Sequence, residues 1–288
     1  MERKTDHANA AAPVKLIALD LDGTLLDSEK RLSAANAQAL ARAAGAGIEI
    51  VPATGRFYRG IPEPVRSLPF VRYAITINGA EVWDVQACRA VSTEELSAEL
   101  SVQILRFLDG LPAIYDCYQD GWGWMTQTHY DSAATFAANR HSLEMIRKLR
   151  SPVPELKAEL LRRGCGVQKL QAFFRDTALR DRTVDALRER FPAVEVTTSM
   201  SNNIEINSRA ATKGNGLRRL AEHLGIPLAQ TAAVGDARND LSMLQAAGVG
   251  VAMGNASEEI RSAAAFVTDD CDRDGAARAV ARLCAWAE

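Results

Sequence analysis

Short apolar runs alternate with Ala- and Leu-rich stretches in the first part of the chain. The run VKLIALD, which starts at Val14, is followed at once by DGT, a pattern typical of a strand that is buried on both faces and ends at a polar turn. A helix is predicted over residues 34–44, with Ser33 as a candidate N-cap. GIEIVPATGR and YAITING follow as predicted strands. Strand, helix and strand at this spacing indicate βαβ units and a parallel sheet.

The same order of elements returns near the C-terminus. The predicted strands are TAAVGD, GVGVAMG and AAFVTDD, and helices are predicted over residues 212–224, 239–247 and 275–287. Both ends of the chain are therefore expected to form one α/β core, a doubly wound parallel sheet with helices on both faces.

The middle of the chain has a different pattern. EVWDVQACRAV and AIYDCYQDGWGWMTQ alternate in polarity and contain turn residues, which indicates antiparallel hairpins. Helices, a strand at VQKLQAFF and a last hairpin at VEVTTSMSNNIEIN are predicted after them. We therefore predict an inserted α+β cap domain over residues 83–207 and a core formed by residues 14–82 and 208–288. Two junctions between them permit a hinge motion of the cap.

Composition and charge narrow the classes of protein. The chain has 288 residues, 47% of them hydrophobic and 24% charged, and a formal net charge of −2, which gives no case for nucleic acid or an anionic membrane as partner. No apolar run reaches the roughly 20 residues of a membrane span. Residues 1–13 lack the apolar region of a secretory signal and are expected to be a disordered extension. The five cysteines contain no C-x-x-C pair, which favours reduced thiols and a cytoplasmic location.

The segment DLDGT, directly after the first strand, carries the strongest chemical signal. Asp20 and Asp22 are separated by one residue at the carboxyl end of a parallel strand, where open α/β sheets bind ligands. One carboxylate can attack phosphorus while the other protonates the leaving oxygen and later deprotonates a water. Gly23 permits the sharp turn that frees backbone N–H groups for phosphoryl oxygens. An acidic turn without chemistry is the alternative explanation.

These residues and three later segments resemble the motifs of the haloacid-dehalogenase-like hydrolases. DLDGT is similar to the first motif, and VPATGR supplies Thr54 for the second, in the A-T-G-R form of Cof-type sugar phosphatases. The Thr54 hydroxyl can donate to a phosphoryl oxygen, although an isolated Thr there also suits a helix N-cap. Lys213, followed by Gly214, is similar to the third motif, whose lysine offsets the charge of the nucleophile and the phosphoryl group.

The fourth motif is matched by GDARND and implies a metal site. By resemblance, Asp236 is a direct ligand, and Asp20 and the backbone carbonyl of Asp22 complete the protein's share of an all-oxygen Mg²⁺ site. Asn239 and Asp240 are expected to support the ligands and orient the lysine. The segment departs from many relatives because Ala and then Arg follow Asp236; Arg238 faces either substrate or solvent. The full set of phosphate contacts implied by the resemblance is Leu21, Asp22, Thr54, Gly55, Lys213 and Asn239.

The position of the insert, after the third core strand, resembles the type IIB cap of Cof-type phosphatases. In relatives such a cap closes over the substrate and excludes water, so substrate choice is expected to depend on it. Within the cap, Trp122 and Trp124 are placed by their spacing on one face of a strand, where they either contact a ring or sugar together with His129 or pack in the cap core.

Three basic cap residues and one asparagine have two open interpretations each. The basic residues Arg140, Arg147 and Lys169 either hold a second anionic group or lie on a solvated helix face. Asn78, in the Asn-Gly turn before the insert, either contacts substrate or only starts the hinge.

The resemblance implies a Mg²⁺-dependent phosphatase that hydrolyses small phosphorylated metabolites, sugar phosphates above all, through an aspartyl phosphate. Asp20, Asp22, Thr54 and Lys213 would be its catalytic residues. The alternatives are a sugar phosphomutase of the same superfamily, which uses the same Asp pair, and a non-catalytic protein that binds and senses a phosphorylated ligand. The sequence leaves a monomer and a homodimer open.

Overall fold

A computed structural model of the protein describes residues 13–198 and 200–284. The expected N-terminal extension, apart from Pro13, and the last residues of the predicted C-terminal helix lie outside this part of the chain. The strands are β1 (Leu16–Leu19), β2 (Glu49–Pro52), β3 (Tyr73–Thr76), β4 (Glu81–Asp84), β5 (Arg89–Thr93), β6 (Ala113–Gln119), β7 (Trp122–Thr126), β8 (Arg150–Val153), β9 (Lys169–Phe174), β10 (Val194–Thr197), β11 (Asn203–Ser208), β12 (Thr231–Gly235), β13 (Val249–Ala252) and β14 (Phe266–Val267). The helices are α1 (Ala34–Gly45), α2 (Glu63–Arg66), α3 (Ala98–Leu108), α4 (Gln127–Phe136), α5 (Arg140–Leu149), α6 (Leu156–Arg163), α7 (Thr177–Arg190), α8 (Lys213–His223), α9 (Leu241–Ala246), α10 (Glu258–Ser262) and α11 (Gly275–Leu283).

The core is a parallel sheet in the order β14-β13-β12-β1-β2, with helices on both faces. Strand β1, between β12 and β2, is completely buried because its side chains alternate between two apolar layers. Ile17 and Leu19 pack in the layer that contains α1 and α11, whereas Leu16 and Ala18 pack in the layer that contains α8 and α9. The predicted doubly wound α/β core is confirmed. None of the described helices is long and apolar enough to cross a membrane.

Strands β3, β4 and β5 form an antiparallel sheet beside the core. A single parallel bridge between Ala53 and Ile75 connects β3 to the end of β2. The polarity pattern correctly predicted the hairpin β4–β5, but the expected boundary at residue 83 assigned most of it to the cap, whereas these strands pair with β3. An alternating pattern identifies hairpin strands without specifying which sheet they extend. The Asn-Gly turn joins β3 to β4, with Asn78 at φ 57° and Gly79 at φ 89°.

The inserted region forms a second, six-stranded sheet in the order β10-β11-β9-β6-β7-β8. All its pairs are antiparallel except β7 with β8. One face packs on α3, α6 and α7 through an apolar cluster that includes Leu105, Leu160 and Leu187. The opposite face carries polar residues at alternate positions of β6, β9 and β11, and we call it the polar face. Its members are Asp116, Tyr118, Lys169, Gln171, Glu205 and Asn207.

The chain enters and leaves this six-stranded domain at neighbouring points. Glu94 directly follows β5, and Ser208 is the last residue of β11. The Ser208 hydroxyl donates to the Glu94 carboxylate at 2.8 Å. Arg219 on α8 donates to the same carboxylate at 3.2 Å, so both connections are fixed to the core at one place.

Replacement of Glu81 by Gln is expected to stabilise the fold at alkaline pH. Glu81 is 2% exposed, and the Thr76 hydroxyl donates to its carboxylate at 3.2 Å. Burial raises the pKa of Glu81 from 4.5 to about 7. The folded state therefore binds a proton that the unfolded state releases, and stability falls as the pH rises between these two values. Above them, urea unfolding should show the Glu81→Gln variant to be about 3 kcal/mol more stable than wild type.

The advantage of Glu81→Gln should disappear at pH 4, where both states of the wild type are protonated. Glu189, an exposed residue of α7, provides the control: Glu189→Gln should not change stability at either pH. An advantage of Glu81→Gln that is equal at pH 4 and pH 8 would contradict the charge explanation.

Candidate active site

Three of the residues named from the sequence meet at the carboxyl edge of the core sheet. Asp20 directly follows β1, Asp236 directly follows β12, and Thr54 lies two residues beyond the end of β2. Because β1 pairs in parallel with both neighbours, these strand ends lie side by side. Asp20 is only 7% exposed and Thr54 only 1%. The register of the sheet therefore assembles the site.

Lys213 lies at the start of α8 and is completely buried between two carboxylates. Its Nζ donates to Oδ1 of Asp20 and to Oδ1 of Asp240, both at 2.6 Å. The other Asp240 oxygen accepts the backbone N–H groups of Asp236 at 3.0 Å and Ala237 at 2.9 Å. Asp240 thus orients the lysine and holds the loop after β12. Among the described residues, none donates a hydrogen bond to Oδ2 of Asp20.

Burial dominates the charge state of these groups. Burial raises the pKa of Asp20 to about 8, although the neighbouring Lys213 acts in the opposite direction. Burial lowers the pKa of Lys213, but the charges of Asp20 and Asp240 outweigh this effect and leave its pKa above the ordinary value. Burial and the nearby Asp240 raise the pKa of Asp236 to about 6. Three carboxyl groups therefore share one lysine, and burial together with the crowding of like charges disfavours the ionised forms of Asp20 and Asp236.

This excess of carboxylate fits a divalent cation. Asp20, Asp236 and Asp240 place carboxylate oxygens within 4.8 Å of one another. The oxygens of Asp240 are already occupied by Lys213 and backbone amides, which leaves Asp20 and Asp236 for a cation. Thr24 donates to Asp236 at 2.9 Å and fixes its orientation. Gly23 has φ 95°, and a Cβ there would lie 2.6 Å from a carboxylate oxygen of Asp236, so both the backbone conformation and the space favour glycine. Hard oxygen ligands of this kind suit Mg²⁺.

Asp22 is held away from this cluster by two cations. Its carboxylate accepts two hydrogen bonds from Arg56, both at 2.9 Å, and lies 3.1 Å from Lys30. Burial alone would raise the pKa of Asp22, but the hydrogen bonds and charges of Arg56 and Lys30 prevail and hold the pKa below its usual range. The Asp22 carboxylate is therefore occupied by Arg56 and Lys30, and the metal ligand that the resemblance implies for this residue is its backbone carbonyl. The sequence named Arg56 only as part of A-T-G-R and did not predict this bidentate contact.

Thr54 and Gly55 form a loop whose atoms face a cavity next to Asp20 and Asp22. The Thr54 hydroxyl oxygen accepts the Arg56 backbone N–H at 3.2 Å, so its proton remains available to a ligand. No helix begins at Thr54, and the N-cap alternative is excluded. Leu21 is buried in the core, and only its backbone is near the turn. Asn239 lies at the cavity, and its amide donates to Oδ1 of Asn78 at 3.1 Å.

A cavity of about 830 Å³ lies between the carboxyl edge of the core sheet and the polar face of the cap. Lys169, Gln171, Glu205 and Asn207 line it from the cap side. Lys169 is 1% exposed on β9 and donates to the Gly55 carbonyl at 3.0 Å, so the alternative of a solvated helix face is wrong for this residue. The polar residues alternating with apolar ones in KLQAFF and NIEIN were the signal for this face.

The other singled-out cap residues lie outside the lining of this cavity. Trp122 packs 6.0 Å from the ring of Phe57, whereas Trp124 lies under Arg163 in the cap core. Trp124 packs in the cap core, as that alternative predicted, whereas Trp122 packs in a cluster that contains residues of both domains. His129 packs on the Tyr115 ring at 4.3 Å. Arg140 and Arg147 are exposed on α5. Two residues of the core behave differently, since Ala237 and Arg238, in the loop after β12, are exposed and line the cavity.

Comparison with known proteins identifies the family of this arrangement. A family model described as haloacid dehalogenase-like hydrolase matches residues 17–280. The chain belongs to this family.

Individual members of this family are similar to nearly the full length of this chain. Phosphatase YwpJ of Bacillus subtilis is 34% identical, over 94% of this chain and 100% of its own. The 5-amino-6-(5-phospho-D-ribitylamino)uracil phosphatase YcsE of the same organism is 30% identical, over 93% of this chain and 94% of its own. A haloacid dehalogenase-like hydrolase from Bacteroides thetaiotaomicron superposes with a TM-score of 0.80 at 27% identity, over 94% and 99% of the two chains. The predicted family, fold class and type of enzyme, a phosphoric monoester hydrolase, are confirmed.

Proposed function

We propose that this hydrolase is a Mg²⁺-dependent phosphatase that releases phosphate from small phosphorylated metabolites through an aspartyl-phosphate intermediate. The observation that carries the proposal is the state of Asp20. Lys213 binds one of its oxygens at 2.6 Å, and the other is available at the cavity, next to Asp236. A carboxylate fixed through one oxygen and available through the other is suited to act as a nucleophile.

In the first step, the available oxygen of Asp20 attacks phosphorus. The bond from phosphorus to the leaving oxygen breaks as the new bond forms, and Asp22 donates a proton to that leaving oxygen. Before this, Asp22 has to leave Arg56, because both of its oxygens are occupied there. Leaving the two cations also removes the contacts that lower its pKa, so Asp22 can take up the proton that it donates, from water or from a singly protonated phosphate group of the substrate. Arrival of the phosphoryl group, a competing partner for Arg56, supplies the reason for that movement.

In the second step, Asp22 removes a proton from a water that attacks the same phosphorus. The bond between phosphorus and Asp20 breaks, which frees phosphate and restores the carboxylate. Thr54, Lys213 and the backbone amides of the first motif hold the phosphoryl oxygens through both steps. Asp20, Asp236 and the carbonyl of Asp22 would hold Mg²⁺, which when bound supplies positive charge to the phosphoryl oxygens.

The cavity supports a sugar phosphate or a related polyhydroxy phosphate as substrate. Gln171, Asn207 and Thr197 line it with neutral groups that can bond to hydroxyls. Arg150, the most buried arginine of the lining, is already bound to Asp116 at 2.8 Å and to Tyr118 at 2.7 Å. Phe173 and Leu149 add apolar surface for the carbon skeleton. The relative YcsE is named for a phosphate on a ribityl chain, which has the same chemistry.

Removal of the metal is expected to abolish phosphate release. A panel of phosphorylated sugars, polyols, pyridoxal phosphate and flavin phosphate should be hydrolysed with Mg²⁺ and not with a chelator. Asp236→Asn should raise the Mg²⁺ concentration needed for half-maximal rate by about 10- to 100-fold, since one of two carboxylate ligands is lost.

Several outcomes of this assay would change the interpretation. Equal rates with and without chelator would contradict the metal dependence. Binding of several compounds without hydrolysis of any would favour the sensor alternative. A product that stays bound and is phosphorylated again, when a sugar bisphosphate is supplied, would favour the phosphomutase.

A further inference from the structure

Glu205 is a buried carboxylate of the polar face that bonds to both domains. It is 5% exposed on β11. One of its oxygens lies 3.1 Å from Nζ of Lys169, on the neighbouring strand β9 of the cap. The other accepts the side-chain amide of Asn78, a core residue, at 2.9 Å. The proposed mechanism uses neither Glu205 nor Lys169, although both line the cavity.

The two partners of Glu205 continue the chain of bonds into two catalytic loops. Lys169 donates to the carbonyl of Gly55, between Thr54 and Arg56, at 3.0 Å. On the other side, Asn78 accepts from Asn239, in the loop that follows Asp236, at 3.1 Å. The cap thus holds the second and the fourth motif of the core at the same time.

Asn78 is itself fixed to the second motif. Its backbone N–H donates to the Thr54 carbonyl at 3.0 Å, and its left-handed conformation, φ 57°, aims the side chain between the loops. A Cβ at Gly55 would lie 3.0 Å from the Asn78 side-chain oxygen, so little free space remains there. A displacement of Asn78 would consequently be felt by both Gly55 and Asn239.

We propose that Lys169 and Glu205 are positioning residues of the catalytic centre, contributed by the cap, that hold the Thr54–Gly55 loop and the Asn239 loop in place through Gly55 and Asn78. This inference rests on the proposed function for its effect on rate. The chemistry of the two neighbouring groups explains why residue 205 is a carboxylate. Two donors, an ammonium and an amide, face that side chain from opposite sides, and only a carboxylate offers an acceptor to each. The two loops have all their hydrogen bonds only when the cap lies against the core, and in that state bulk water is excluded from the cavity.

The first test is Glu205→Gln, which keeps the volume and removes one acceptor. The amide then faces either Lys169 or Asn78 with a donor, and one bond of the network is lost. We expect kcat on the best substrate of the panel to fall about 10- to 100-fold, as for other supports of active-site groups. KM should change by less than about threefold, because the variant still presents the same surface to substrate. Glu189→Gln, the exposed cap control, should leave both constants unchanged.

The decisive test exchanges donor and acceptor. Asn78→Asp alone removes the donor to Glu205 and places two carboxylates together, so it should be as damaging as Glu205→Gln. In the double variant the new carboxylate accepts from both the new amide and Asn239, and the new amide oxygen accepts from Lys169. All four bonds are then possible again, and kcat should recover at least about fivefold over either single variant. A double variant as slow as the product of the two single effects would overturn the proposal.

A readout independent of turnover separates this inference from the proposed function. Hydrogen exchange of the backbone amides at Arg56, Asp236 and Ala237, which bond within the two loops, should be faster in Glu205→Gln than in wild type and slow again in the double variant. Unchanged exchange in these core loops, with thermal stability close to wild type, would overturn the positioning role. If the wild type released no phosphate from any substrate, the proposed function would fail, and exchange would still decide this inference.

Discussion

The Asp20→Asn variant is expected to retain no measurable turnover. An amide oxygen is a poor nucleophile, and the substitution also removes the negative partner of Lys213 and one ligand of the proposed Mg²⁺. By comparison with the removal of other covalent nucleophiles, kcat should fall by about 10⁴- to 10⁶-fold. Phosphate release in single turnover, with enzyme in excess over substrate, measures this without interference from product release.

Folding has to be verified for this variant because Asp20 is buried beside Lys213. Loss of the carboxylate leaves Lys213 with Asp240 as its one carboxylate partner, which can destabilise the fold. The melting temperature of the variant therefore has to be measured, to show that lost activity does not result from unfolding. Asp185→Asn, at an exposed position of α7, is the matched control and should behave as wild type. Residual activity of Asp20→Asn within about 100-fold of wild type would assign the nucleophile to another group.

The second large effect is expected from Asp22→Asn, and it should depend on the leaving group. With alkyl phosphates both proton transfers are lost, and kcat should fall by about 10²- to 10⁴-fold. With para-nitrophenyl phosphate the departing nitrophenolate needs no proton, so the first step should proceed while hydrolysis of the aspartyl phosphate stays slow. The expected result is a burst of nitrophenolate of about one equivalent per enzyme, followed by slow turnover.

Rapid mixing and acid quenching measure this burst and the acid-labile phosphate bound to the protein. Asp27→Asn, a nearby substitution outside the cavity lining, should turn over both substrates without a burst. An equal loss for both substrates with no burst would show that Asp22 does not distinguish the two steps and would contradict its acid–base role.

Much of the site was predictable from the sequence because its residues follow strands. Asp20, Thr54 and Asp236 each come just after an apolar run, and parallel pairing brings such positions together whatever the side-chain details. Lys213 was predictable only through the resemblance, since an isolated lysine at a helix start gives no sign of its burial between Asp20 and Asp240.

Contacts between the domains were not predictable in the same way. Lys169 was grouped with surface arginines because its charge favours solvent, and its burial depends on Glu205, 36 positions later in the chain. The two hydrogen bonds from Arg56 to Asp22 likewise depend on how the loop after β1 and the loop after β2 lie relative to each other. Periodicity describes one segment at a time, so it predicted β9 and the β10–β11 hairpin as strands without showing that their polar residues face the carboxyl edge of the core sheet. For the same reason it identified the β4–β5 hairpin but not its sheet.

The adjacent connections at Glu94 and Ser208 have a consequence for how proteins of this architecture diversify. The polypeptide departs from and returns to the core at positions joined by a 2.8 Å hydrogen bond, so the strand order of the core does not depend on what lies between them. Segments inserted between close-lying ends are tolerated well. A gene can therefore lengthen, trim or exchange parts of this stretch and acquire a new preference for metabolites, provided that the bonds of Lys169 and Glu205 to the core loops are kept.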